Sequence, residues 1–374
     1  MKVRFFLLLA LISTSVFIAG CSLMQGSIVG PTDTATVIAK TAQIRTSYSV
    51  VAADLLEVKR GDTLDVLDQV EFEKVPWFRV RGRDEAQTEG WIEAQNVITS
   101  GTLQKSKDLA AQFQDQPPQA AGMIRSITNL RGAPDMAAEN IFFKLPAGSN
   151  FEIMSWKFVP KQEAPDVDDA PTGQQKAGQK VEPKSSDDDE PPRLDEKYDM
   201  WYLVRIDPAV SPAPAGWIFG RQVELKVPSD ISFFQSNDRK FITWQRLDSD
   251  SANKVGSGDK ALAPGSWVIL ARDPYSKPAD GIEPDFDYIL VLAFDKYDQN
   301  YYTVWRTTNH KVVFGRLPLK VEGKGDNKTF TVTLRNPQTG AMEEKRFVVF
   351  KDKTRLRVTP PEDMGQYEAD DDDQ

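Results

Sequence analysis

The 374-residue chain is poor in the two side chains on which most metal sites and many catalytic sites depend: it has one cysteine, Cys21, and one histidine, His310. A single cysteine cannot form a disulfide within the chain, and the two residues together cannot build a Cys/His zinc site. His310 follows Thr-Thr-Asn at a predicted hairpin turn and has no second histidine or cysteine to act with. Intramolecular disulfides, Cys/His zinc sites and catalytic triads that need a separate His and Cys are therefore excluded, and no cofactor is predicted.

Excess positive charge is also missing. The chain has 46 Lys and Arg against 55 Asp and Glu, a formal net charge of −9, which argues against nucleic acid as a partner. Much of the acidity lies in residues 160–197, with six prolines and no aromatic residue, and in the tail at 361–374. Such segments cannot bury enough apolar surface to offset chain entropy, so both are predicted to be disordered. The remaining mature chain is close to neutral.

The first 21 residues have the pattern of an export signal. Lys2 and Arg4 precede a short apolar run, and small residues lead to Cys21. Residues 18–21, Ile-Ala-Gly-Cys, resemble the bacterial lipobox, which implies removal of residues 1–20 and attachment of lipid to the Cys21 thiol; an ordinary secretory signal is the alternative. Each buried acyl methylene contributes about 0.8 kcal/mol to membrane binding. Ser22 stands where the family's inner-membrane retention signal has Asp, so the resemblance implies an outer-membrane anchor facing the periplasm, with surface exposure left open.

Two stretches of the chain share landmarks in the same order. Each contains an apolar residue followed by Arg, a turn that ends in Gly, a strand that begins with Trp and an aromatic residue, and a Gly-Trp-Ile strand before a closing Val. The Arg and the turn Gly are Arg45 and Gly61 in the first stretch and Arg131 and Gly148 in the second. Alternating apolar residues favour short strands. The sequence therefore predicts an internal repeat of one small β unit.

The order of these landmarks resembles that of bacterial SH3 domains. The resemblance implies two tandem SH3-like small β-barrels, at residues 38–100 and 123–228, with a tether at 21–37 and a linker at 101–122. The second copy departs from the family pattern because it carries the insertion at 160–197.

Four tryptophans of these domains are candidate ligand-binding residues. In SH3-like barrels the first Trp of the Trp-aromatic pair often lines a shallow groove, so the resemblance implies this role for Trp77 and Trp201, with Trp91 and Trp217 beside them. The alternative is that these large side chains are packing residues of small cores.

Residues 229–360 contain eight β-rich runs separated by turns. The pattern predicts an antiparallel β-barrel or sandwich, so the whole chain is predicted to be all-β. No spacing among the acidic residues singles out a calcium loop or the carboxylate pair of a glycoside hydrolase.

These features favour a non-catalytic, lipid-anchored envelope protein whose SH3-like domains bind peptidoglycan or a protein partner. The peptidoglycan assignment rests on the resemblance alone. A structural lipoprotein of a secretion or surface complex and a carboxylate-dependent cell-wall hydrolase are the alternatives.

Overall fold

The computed structural model describes residues 33–49, 51–161, 193–235, 239–248, 264–324 and 327–370. They are nearly all β, as predicted, and form two compact units that divide between Leu103 and Gln104. The export signal with Cys21 and residues 162–192 of the predicted insertion lie outside the described residues. In the described ranges, no helix is both long enough and apolar enough to cross a membrane.

Seven strands form the first β unit: β1 (Asp33–Val37), β2 (Thr41–Arg45), β3 (Asp54–Lys59), β4 (Thr63–Phe72), β5 (Val75–Arg81), β6 (Glu89–Glu93) and β7 (Val97–Thr99). They make one antiparallel sheet in the order β3-β2-β6-β5-β4-β1-β7. All seven strands contribute apolar side chains to one core, so the sheet curves around it. The end strands β3 and β7 do not pair in this described unit, so its sheet is open and the predicted small barrel is not a closed one. The predicted tether ends early, because its last five residues are β1.

The predicted linker at 101–122 is also structured. It contains most of helix α1 (Ser100–Ala111) and the start of the next sheet. The Ser106 hydroxyl is buried, donates to the Ala215 carbonyl oxygen at 2.5 Å and accepts from the Ala215 N–H at 3.0 Å. These two hydrogen bonds hold the helix against the second β unit.

The second β unit contains β8 (Ala120–Ile124), β9 (Thr128–Arg131), β10 (Ile141–Leu145), β11 (Asn150–Pro160), helix α2 (Leu194–Lys197), β12 (Tyr198–Ile206), β13 (Ala215–Phe219) and β14 (Val223–Leu225). Its sheet has the order β10-β9-β13-β12-β11-β8-β14, which matches the first sheet strand for strand, and it is likewise open. The shared order confirms the internal repeat. Gly90 and Gly216 occupy matching sites: a Cβ on Gly90 would meet the Arg45 carbonyl oxygen, and one on Gly216 would meet Leu130 and the Arg131 carbonyl oxygen.

The ends of the predicted disordered insertion at 160–197 are ordered. Pro160 ends β11 and pairs with Tyr198 of β12, and the Lys161 N–H donates to the Lys197 carbonyl oxygen at 3.0 Å. The Leu194 N–H at the start of α2 donates to the Pro274 carbonyl oxygen at 3.0 Å. Backbone pairing therefore extends beyond the predicted boundaries.

The described residues of the C-terminal β domain form ten strands: β15 (Lys240–Arg246), β16 (Trp267–Arg272), β17 (Tyr288–Asp295), β18 (Asn300–Arg306), β19 (Lys311–Val312), β20 (Gly315–Lys324), β21 (Asn327–Arg335), β22 (Met342–Asp352), β23 (Arg355–Thr359) and β24 (Ala369–Asp370). Strands β15 to β18 form one sheet and β20 to β23 another, both in sequential order. Side chains of both sheets share one core, for example in the 5.0 Å edge-to-face contact between Trp305 and Phe347. The sandwich prediction is confirmed, and β20 and β24 are the strands that the sequence reading missed.

The prediction of a disordered tail from residue 361 is wrong as far as Asp370. Met364 and Tyr367 are buried in the core of the sandwich. The buried ammonium of Lys345 lies 2.7 Å from the Asp363 carboxylate, and β24 pairs with β19. Although this segment is mostly acidic, the side chains of Met364 and Tyr367 and the ion pair of Asp363 hold it on the sandwich. Residues 371–374 lie outside the described part.

Candidate binding surface

The structure separates the four candidate tryptophans into two pairs. Trp77 is 6% exposed and Trp201 is 2% exposed, so both are packing residues, which is the alternative that the sequence left open. Their assignment to a groove is not supported, because the protein covers both rings and Trp201 packs against Phe219 with ring centres 5.2 Å apart. Trp91 and Trp217 remain partly exposed.

Trp91 belongs to a group of three neighbouring aromatic rings on the first β unit. Its neighbours in β6, Gly90 and Ile92, are buried, and the period-two alternation of a strand therefore turns Trp91 outward. Tyr48, in the loop between β2 and β3, meets Trp91 edge to face with ring centres 5.2 Å apart. Phe72, the last residue of β4, lies 5.0 Å from Tyr48. We call these three residues the aromatic patch.

The hairpin between β4 and β5 places Phe72 at the edge of this patch. Its two turn residues, Glu73 and Lys74, have φ of 50° and 66°, as a two-residue turn of the type that matches strand twist requires. Neither is glycine, so the left-handed conformation carries a cost of order 1 kcal/mol each. The tight turn pairs Phe72 with Val75 and holds both at the tip.

The patch is apolar and accessible. Phe72 is 37% exposed and Val75 is 38% exposed, while Tyr48 and Trp91 are half-buried. Large exposed apolar side chains that adjoin one another, rather than being scattered singly, are typical of interaction sites. Here the three rings come from a loop, a hairpin tip and a strand, so together they form a contoured surface rather than a single exposed side chain.

Three arginines near the patch are paired with carboxylates of the first β unit. Arg45 lies 3.1 Å from Asp54, and Arg79 and Arg81 lie 3.1 Å and 2.6 Å from the two oxygens of Glu89. The hydrogen bond from Arg81 holds the pKa of Glu89 below its usual range. The patch therefore offers ring faces and edges to a ligand, and these arginines add no unpaired cation to it.

Tyr48 and Phe72 were missed by the sequence reading. Tyr48 is an aromatic residue within a Ser-Tyr-Ser loop, and Phe72 is an apolar residue at a hairpin tip between Glu71 and Glu73. A large apolar side chain in a turn has no core to enter, and that is the signal that could have found both.

The second β unit uses the corresponding hairpin differently. Phe158 of β11 lies with its ring centre 4.8 Å from the guanidinium carbon of Arg272 in the C-terminal domain. Gln119 bridges the same two parts: its side chain accepts from the Leu319 N–H at 2.7 Å. This hairpin is thus engaged within the protein.

Arg272 belongs to a buried ionic cluster, which consists of three carboxylates, each paired with an arginine. The Arg272–Glu283 distance is 2.9 Å, Arg316–Asp285 is 3.3 Å and Arg239–Asp287 is 3.2 Å. Burial raises the pKa of Asp285 and of Asp287, and burial lowers the pKa of Arg272. Because every carboxylate of the cluster faces a cation, the arrangement suits a structural junction better than proton transfer to a substrate.

Among the described ranges, no three His, Cys, Asp or Glu side chains are grouped so that they could hold a metal ion. His310 is exposed at the turn before β19, with φ of 61°.

Comparison with known proteins identifies no family. No family model matches the chain, and no curated protein sequence matches it. Among solved structures, NlpC2 from Trichomonas vaginalis is 10% identical, with 90% of this chain and 98% of that chain covered and a TM-score of 0.16. NlpC1 from the same organism is 9% identical, with 93% and 97% covered and the same TM-score of 0.16. A TM-score this low carries no argument about fold or function.

Proposed function

We propose that this chain is a non-catalytic, lipid-anchored cell-envelope protein that binds an extended segment of peptidoglycan or of a partner protein. The binding surface is the aromatic patch of the first β unit. The observation that carries the proposal is the group of three accessible rings, contributed by a loop, a hairpin tip and a strand. The lipid anchor at Cys21 and the outer-membrane location rest on the resemblance of the first 21 residues to a lipoprotein signal.

The patch suits an extended ligand for a physical reason. Extended segments present alternating flat surfaces and backbone groups, and grooves lined by aromatic side chains bind them with little loss of conformational entropy. Since the neighbouring arginines are paired, stacking and hydrogen bonds carry the affinity. Binding is therefore expected to weaken only modestly between low and moderate salt.

The repeat supplies a matched pair of variants for the test. Trp91→Ala and Trp217→Ala remove the same side chain from corresponding strands, β6 and β13, at positions of similar exposure. A soluble form of the mature polypeptide, which lacks residues 1–21 and therefore the lipid-bearing Cys21, is incubated with purified bacterial sacculi, and the bound fraction is measured after sedimentation. We expect Trp91→Ala to lower retention at least tenfold and Trp217→Ala to leave it unchanged.

Two results would contradict the proposal. An equal loss of retention in both variants would show that the effect is not specific to the patch. Unchanged retention in the double variant with Trp91→Ala and Tyr48→Ala would show that the patch does not bind the wall. If the wild-type chain does not sediment with sacculi, the same variants are compared in cross-linking to envelope proteins, which tests the protein-partner form of the proposal.

The hydrolase alternative is less well supported. The three carboxylates of the buried ionic cluster are paired with arginines and are 7% exposed or less. A general acid must reach the scissile bond within hydrogen-bonding distance, and this cluster does not offer that access. A structural role in a surface complex would use the same patch, but its ligand would be another protein of the complex rather than peptidoglycan.

A further inference from the structure

The two copies of the β unit differ at one matching pair of strands. In the first copy, Arg45 of β2 lies opposite Asp54 of β3, and the two form an ion pair at 3.1 Å. In the second copy, Arg131 of β9 lies opposite Ile141 of β10. The arginine is retained, and its acidic partner is replaced by an apolar residue.

A second exchange on the same strands also removes a negative charge from the second copy. Gln43 of β2 lies opposite Glu57 in the first copy, whereas the matching Asn129 of β9 lies opposite Lys144 in the second. Two acidic residues of β3 thus correspond to an isoleucine and a lysine in β10. The edge of the second copy has lost both anions and gained a cation.

This exchange leaves Arg131 without an acidic residue opposite it. It is only 7% exposed, yet no carboxylate of the described residues lies within ion-pair distance of Arg131 or Lys144. Its guanidinium donates one hydrogen bond, at 2.8 Å to the Ala137 carbonyl oxygen, although it has five N–H donors. The nearby Asp135 carboxylate is engaged by the Asn140 side-chain amide at 2.9 Å and 2.8 Å. No nitrogen of this guanidinium is both buried and without a hydrogen-bond partner, so its remaining donors face the surface, where a bound anion can accept from them.

Arg131 lines a cavity of about 270 Å³ on the surface of the second β unit. Lys144 and Asn129 supply further polar groups to its wall, and the cavity is completed on its apolar side by Ile127, Met136 and Phe219. Ile127 and Met136 are themselves largely exposed. We call this cavity the Arg131 groove.

We propose that the Arg131 groove binds a carboxylate whose neighbouring carbon atoms are apolar, such as the terminal carboxylate of a short peptide. The planar guanidinium matches a carboxylate in a two-point hydrogen bond. Lys144 adds a second positive charge, and the side chains of Ile127, Met136 and Phe219 cover a small apolar substituent. The groove is separate from the aromatic patch, so this assignment stands whether or not the patch binds sacculi.

Methyl NMR on the mature polypeptide tests the proposal directly. With ¹³C-methyl methionine, Met136 reports on the groove and the exposed Met342 of β22 serves as an internal reference; Met136→Leu assigns the signal. N-acetyl-alanine is the probe, and N-acetyl-alaninamide is the uncharged control of the same shape. We expect a saturable shift of the Met136 methyl with the acid, none with the amide, and no change at Met342.

Variants drawn from the other copy sharpen the test. Ile141→Asp places an acid beside Arg131 as in the first copy and is expected to weaken binding at least tenfold. Lys144→Glu is expected to weaken it several-fold, whereas Lys157→Glu, the same charge change at an exposed position outside the groove, should have no effect. An unchanged melting temperature and Met342 signal show that each variant is folded.

Three outcomes would overturn the assignment. An equal response to the amide would mean that only the apolar wall is used. A shift with inorganic phosphate and none with N-acetyl-alanine would mean that the groove selects another anion. Undiminished binding in folded Ile141→Asp would mean that Arg131 does not hold the ligand.

Discussion

Arg272 illustrates how much one side chain in this protein depends on its neighbours. It is 3% exposed, and burial lowers its pKa, although Glu283 and the two aspartates of the buried ionic cluster favour its charged form. Removing one member of a buried ion pair usually costs more than the pair contributes, because the remaining charge is left in a medium of low polarity. The stability of the junction should therefore depend on this one guanidinium.

Arg272→Met is expected to lower the free energy of unfolding by about 3–5 kcal/mol at pH 7, because it leaves Glu283 without its partner. Burial already raises the pKa of Asp285 and Asp287 above the ordinary value of about 3.9. A carboxyl group whose pKa is raised by folding binds its proton more tightly in the folded state than in the unfolded state. The stabilisation from these two protonated carboxyls is therefore complete below about pH 3.9 and is lost as the pH rises through their folded-state pKa. Without the guanidinium these pKa values rise further, and the deficit of the variant should shrink as pH falls toward 4. Urea unfolding at pH 7, 6, 5 and 4 measures it.

Arg357→Met is the matched control for that experiment. Arg357 is 58% exposed on its side chain and lies 3.8 Å from Asp352, so its loss should change stability by no more than about 0.5 kcal/mol at any of these pH values. A deficit in Arg272→Met that grows on acidification would show that the carboxylates of the cluster do not set the pH dependence.

At the scale of elements, the hairpin of β11 and β12 belongs to the second sheet and also contacts the C-terminal domain. Its strands lie in the middle of the second sheet, and its far end contacts the C-terminal domain through Phe158 and the start of α2. The predicted insertion enters and leaves at this far end. What the sequence treated as one disordered segment therefore includes short ordered ends with packing partners.

Replacing residues 162–192 with a short Gly/Ser linker is expected to change the melting temperature by less than about 2 °C, corresponding to under 1 kcal/mol. The reason is that the Lys161–Lys197 backbone hydrogen bond already brings the ends of this segment together. Differential scanning calorimetry of the two proteins makes the comparison.

A longer replacement, of residues 160–197, is the control for this experiment. It also removes α2, the backbone hydrogen bond to Pro274 and the contact of Arg193 with the Tyr275 ring, and we expect it to lose several degrees. A similar loss with the short replacement would mean that residues 162–192 contribute packing of their own.

At the scale of the whole molecule, one thiol is expected to decide where the protein resides. Cys21→Ser should leave the precursor uncleaved or release a soluble periplasmic form, since the chain has no other thiol to acylate. Membrane fractionation and metabolic labelling with a fatty acid measure the outcome. Ser22→Ala, which keeps the thiol and adds no acidic retention signal, should fractionate as wild type. Labelled, membrane-bound Cys21→Ser would refute the lipoprotein interpretation.

The sequence alone was enough to determine the all-β class, the internal repeat and most strands of the C-terminal domain. Alternation of apolar residues, turn glycines such as Gly61 and Gly148, and the spacing of landmarks are local properties, and strand formation follows from them. Strand β20 was missed although it pairs with β21. Pro318, which interrupts the apolar alternation, lies at a register shift between Arg316 and Lys320, and Gly323, which is typical of a turn, lies at the end of the strand. The ordered tail was missed because its acidic residues outnumber Met364 and Tyr367.

Only the tertiary structure decided which of these residues are available to a ligand. Trp77 and Trp91 look alike in the sequence, but one is covered and the other meets Tyr48 at the surface. Arg45 and Arg131 occupy matching places in the repeat, but only a register between strands shows that one faces Asp54 and the other Ile141. The physical reason is that each strand has two faces and two neighbours. The chain's own alternation distinguishes the faces, whereas what covers a face or pairs with a charge is set by segments distant in sequence.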